Sequence, residues 1–83
     1  MKNLCRAIIW SACFLEMSDE DSVHPDDAIR ALEDMASTLQ QATEEEKQAF
    51  AAAWAEEAAD LLNDPGNEQT AAFVRGLPEA LGL

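Results

Sequence analysis

Between Arg6 and Glu16 lies a nine-residue run, Ala7 to Leu15, in which Ser11 is the only polar residue. In a chain of 83 residues this run constrains the fold more than any other feature. A transmembrane span needs about 20 consecutive apolar residues, more than are present. The run has the length of a signal-peptide core, but no small-x-small cleavage site follows, and Glu16 and Met17 come directly after it. Ser11-Ala12-Cys13 has the look of a lipoprotein cleavage site, yet only Ala7, Ile8, Ile9 and Trp10 precede it as an apolar stretch. A strand is disfavoured as well. The chain holds two Val, three Ile, three Thr and no Tyr, while Ala, Leu, Glu and Gln abound. No segment alternates with period two. A helix remains, and one that is apolar on most of its circumference is buried on most sides. The sequence therefore predicts an all-α bundle, residues 1–83 as one domain, with the first helix (about 3–17) at its centre and the location cytoplasmic.

The other helices follow from local signals. Pro25 suits a first helical position, with Asp26 and Asp27 in the first turn against the positive end of the dipole. The second helix is expected over about 25–41, with Ile29, Leu32, Ala36 and Leu39 as its core stripe and Met35 flanking. On its outer side Asp26, Arg30 and Asp34 stand at four-residue steps, a favourable charge pattern. Thr43-Glu44-Glu45-Glu46 reads as a capping box opening a third helix over about 44–62, whose stripe is Phe50, Trp54, Ala58, Leu61 and Leu62. Asp64-Pro65-Gly66-Asn67 is a turn. A short fourth helix, about 68–75, presents Ala72 and Phe73 and stops at Gly76. Pro78 opens a final turn, 78–81, whose leucines cover an end of the core. Sixteen of the 40 apolar residues are Ala, so one small core is all that the chain can build.

Seventeen acidic residues against five Lys or Arg give a net charge of −12. Phosphate contacts come from clustered cations, and Lys2, Arg6, Arg30, Lys47 and Arg75 are scattered. Direct nucleic-acid binding is disfavoured, and an anionic membrane surface would repel the chain. A basic protein would be attracted. The same balance also suits a solvated surface tuned for solubility or for a salty cytoplasm. Acids concentrate between Glu16 and Asp34, where Arg30 is the single cation. A second patch joins Glu56, Glu57 and Asp60, with no Lys or Arg placed to relieve it.

Chemistry is sparse. His24 is the only histidine, so no catalytic triad or Cys–His pair forms without it; just before Pro25, helix capping is its natural use. Cys5 and Cys13, eight positions apart on one helix, lie about 12 Å apart along its axis, too far for a disulfide. They are expected to be buried free thiols. Asp19, Asp21, His24, Asp26 and Asp27 carry cation-ligating atoms, but the EF-hand pattern fails: starting at Asp19, the glycine position is His24 and the closing acidic position is Arg30. No Gly-rich phosphate loop is present. No enzyme activity, cofactor or metal is expected.

Asp21-Ser22-Val23 resembles the Asp-Ser-Leu of acyl carrier proteins, which are acidic, four-helical and of similar length. That resemblance implies a carrier domain with Ser22 holding the prosthetic group. It covers three residues. Pro25 stands three positions after Ser22, and only about twenty residues precede the motif, where the family has a longer loop.

The reading that fits these features is a non-enzymatic interaction module of the immunity or inhibitor kind. It binds a basic protein through Asp19, Glu20, Asp21, Asp26, Asp27 and Asp34. The alternative is a homodimer formed through apolar residues left uncovered on the first helix: Ile9, Trp10 and Phe14.

Overall fold

The computed structural model describes residues 1–83. It is all-α, with α1 (Lys2–Met17), α2 (Pro25–Leu39), α3 (Glu44–Leu62), α4 (Glu68–Arg75) and α5 (Leu77–Ala80). No helix is long and apolar enough to cross a membrane. α1 packs against α2, α3 and α4, and α4 packs in turn on α3 and α5.

Helix ends form where the local chemistry places them. His24 caps α2, its Nδ1 accepting from the Asp26 backbone N–H at 3.2 Å. Thr43 and Glu46 make the reciprocal capping box of α3: Glu46 N–H donates to Thr43 Oγ1 at 3.1 Å, and Thr43 N–H donates to Glu46 Oε1 at 2.9 Å. The Thr43 backbone N–H first, and its side chain second, hold the Glu46 carboxyl below its ordinary range, because hydrogen bonds to the carboxylate favour its charged form. α2 ends at Leu39 with Gln40 as its cap, two residues earlier than expected.

The core joins Cys5, Ile9, Ala12 and Cys13 of α1 to Phe50, Ala53, Ala58 and Leu61 of α3, Ala71 and Val74 of α4, and Leu77 and Leu81 at the C-terminal end. Ile9 is 0% exposed, a burial that contributes about 1.5–3 kcal/mol. Buried alanines, Ala12 on α1 and Ala53 and Ala58 on α3, allow close helix approach. Trp54 donates its indole N–H to the Val74 carbonyl, tying α3 to α4. Leu77 and Leu81 close the end of the core, as the sequence predicts.

Several expected core positions are corrected. α1 buries four residues rather than most of its circumference, because its neighbours cover only the arc through Cys5, Ile9, Ala12 and Cys13. Leu4, Trp10, Phe14 and Met17 are exposed. On α2 the only buried residue is Ala28; Ile29 faces solvent, and Leu32, Met35, Ala36 and Leu39 are half-buried. α2 packs chiefly on α1, so its neighbours cover a narrower strip than the expected stripe. On α3 Leu62 is exposed, and on α4 Ala71 and Val74 enter the core in place of Ala72.

Candidate functional site

Two acidic regions differ in how the fold treats them. On α3, Glu56 and Glu57 meet the cations of α1. Lys2 Nζ lies 2.8 Å from Glu56 Oε1, and Arg6 Nε lies 2.6 Å from Glu57 Oε1. This corrects the expectation of an unrelieved patch there, since cations more than fifty residues away in sequence are brought alongside. Glu57 is 6% exposed, and no buried side-chain polar atom lacks a partner. The lysine ammonium holds the Glu56 carboxyl below its usual range, through its hydrogen bond first and its charge second. Burial raises the Cys13 thiol above its ordinary value, and the Glu57 charge adds to the shift.

In the second region, Glu16 to Asp34, no ion pair forms; Lys2–Glu56 and Arg6–Glu57 are the two salt bridges of the molecule. Asp26, Arg30 and Asp34 stand at helical spacing, but their side chains do not pair. Asp19, Glu20, Asp21, Asp26, Asp27 and Asp34 are all exposed. Pro25 starts α2, while Asp19, Glu20 and Asp21 occupy the connection before it. Asp19 Oδ1 accepts from the Ser22 backbone N–H at 2.9 Å, which fixes that carboxylate. Ser22 lies in the turn, three residues ahead of α2. No group of three His, Cys, Asp or Glu side chains is arranged to hold a metal ion. Cys5 and Cys13 are buried and free.

The two sets of residues in the sequence reading fall on different parts of the molecule. The six carboxylates share the α1–α2 connection and the outside of α2. Of the apolar set, Ile9 is corrected: it is fully buried in the core and offers nothing to a second molecule. Trp10 and Phe14 are 42% and 61% exposed. Met17, also exposed, joins them at i, i+4 and i+7 on one helix face. Its seven-residue step from Trp10 was legible in the sequence and was missed.

A cleft also forms where α1 ends and α2 begins. It encloses about 460 Å³, and its lining includes Leu15, Glu16, Asp19, Glu20, Ile29 and Leu32. Apolar and acidic side chains therefore meet in one depression, which no Lys or Arg lines. Glu16, Leu15 and Ile29 were not grouped with the acidic face by sequence, because the contact joins the end of one helix to the start of the next.

Comparison of the chain with protein-family models, with curated proteins and with solved structures finds no match in any of the three.

Proposed function

We propose that this chain is a non-catalytic interaction module, built as a bundle around α1, that binds a basic protein through the carboxylates of the α1–α2 connection and α2. The observation that supports this reading is the contrast in pairing. The fold brings its two N-terminal cations to α3 and leaves Asp19, Glu20, Asp21, Asp26, Asp27 and Asp34 exposed and outside any salt bridge, with Arg30 the single cation among them. Such a surface attracts a basic partner and speeds association in a salt-dependent way. The partner class that suits a small acidic protein is a basic toxin or a nucleic-acid-binding protein held inactive, with the chain as an immunity or inhibitor protein in the cytoplasm.

The test is affinity capture with the immobilised chain, beside a variant neutralised at all six carboxylates. A specific basic protein is expected on the native chain, absent from the variant, and released near 0.5 M salt, where the Debye length is about 4–5 Å. Equal capture by both proteins, or enrichment of acidic proteins alone, would contradict the proposal.

A second reading has its own observation. The exposed face of Trp10, Phe14 and Met17 has the spacing of a helix–helix seam, which a second copy would cover. Light scattering of the purified chain decides it: a dimer that Phe14→Glu converts to monomer supports self-association, and a monomer across the concentration range removes it. A carrier role for Ser22 has no supporting observation beyond its exposure in the turn.

A further inference from the structure

From the cleft between the end of α1 and the start of α2, we infer that the basic partner docks there by an amphipathic segment, with Arg or Lys beside apolar side chains. This inference rests on the proposed function and narrows it to one part of the acidic face. The cleft brings half-buried Leu15 and Leu32 and exposed Ile29 together with the exposed carboxylates of Glu16, Asp19 and Glu20. Ile29, 56% exposed, is a large apolar side chain with Asp26, Asp27 and Arg30 close to it along α2. An arginine or lysine has the matching duality, an apolar stem ending in a cation. Its stem would lie on Leu15, Ile29 and Leu32 while its head met the carboxylates. A neighbouring leucine or isoleucine on the partner would fill the rest of the depression.

Charge decides the occupant. A second copy of this chain would bring another −12 against the cleft, and its Lys2 and Arg6 are already engaged with Glu56 and Glu57. A neutral apolar peptide would leave three carboxylates facing it without partners. A basic amphipathic segment satisfies both halves of the lining. Asp19 is held in place by its bond from Ser22 N–H, so part of the acidic lining is ordered before any partner arrives.

The test is fluorescence anisotropy of the full chain with two labelled peptides of equal charge, one alternating arginine with leucine and the other arginine with glycine. The leucine-containing peptide is expected to bind more tightly. Glu16→Gln with Glu20→Gln should weaken it about tenfold, the loss of two charge-assisted contacts. Ile29→Ser, at a solvent-facing position that the fold does not need, should weaken it about fivefold. Asp27→Asn with Asp34→Asn, on the acidic face but outside the cleft, should weaken it less than the Glu16 and Glu20 pair does, and Glu45→Gln on α3 should change it less than about twofold in 0.1 M salt. Circular dichroism of each variant separates lost binding from lost folding. Equal binding of the two peptides, with every neutralisation equally harmful, would overturn the cleft and leave a diffuse acidic face. Absence of binding by either peptide would also overturn the cleft, whereas the proposed function falls only if capture by the native chain fails as well.

Discussion

The acids of α3 and the acids of the Glu16–Asp34 region have the same chemistry and opposite places in the molecule. At the start of α3, Glu46 completes a capping box. Further along, Glu56 and Glu57 take the two cations of α1, and Glu57 is buried among its neighbours. Those carboxylates belong to the fold. In the other region eight carboxylates, Glu16 and Glu33 included, project into solvent with no cation paired to any of them. Net charge treats the two groups as one; pairing and burial separate them. The lesson is that surplus charge becomes informative once the charge that the fold uses has been subtracted.

The largest expected effect comes from breaking the α3 side. Arg6→Met removes the partner of a buried carboxylate and should cost about 2 kcal/mol in urea denaturation. Pairing it with Glu57→Met should recover most of that loss, since an unpaired buried charge is the main penalty. A result in which Arg6→Met is silent would put Glu57 in the same class as the solvent-facing acids. Smaller is the effect of Lys2→Gln, because both side chains of that pair are more than half exposed. Its pH dependence has a definite sign. Glu56 is held below its usual range in the folded chain, so the stability that Lys2 adds is complete above the ordinary carboxylate pKa of about 4.3. It is lost as the pH falls through the lowered folded value. The difference between native chain and Lys2→Gln should therefore close in acid. A difference that persists at low pH would contradict the ion pair. Smallest of all, neutralising Glu20, Asp21 and Asp34 together should shift stability by no more than about 0.5 kcal/mol. A loss as large as that of Arg6→Met would erase the contrast.

The thiols sharpen the same picture from the core side. Burial raises the Cys13 thiol, with Glu57 adding to the effect, and Cys5 is equally covered. A thiol reagent at neutral pH should react with both only at the rate of unfolding, and Arg6→Met should quicken that reaction.

Local signals were legible in the sequence, and tertiary pairing was not. The caps at His24 and Thr43 were readable because their partners lie two and three residues away. The span of α3 was readable for the same reason, with a capping box before it and a Pro-Gly turn after it. On α1, apolar composition does not translate into coverage. Ile9 and Phe14 are both apolar, yet one is fully buried in the core while the other faces solvent, and only the arrangement of neighbouring helices distinguishes them. The Arg6–Glu57 pair spans 51 positions, and no local rule reaches that far. For the candidate site, the six acids were visible as a charge run. The cleft that joins Leu15 and Glu16 to Ile29 and Leu32 required the α1–α2 crossing.

The most direct test of the account is the captured partner's affinity for three proteins side by side: the native chain, the chain neutralised at Glu20, Asp21 and Asp34, and the chain carrying Glu45→Gln on α3. Neutralisation near α2 should weaken binding by about tenfold or more, while the α3 variant should bind as the native chain does. Equal weakening by both, or by neither, would contradict it.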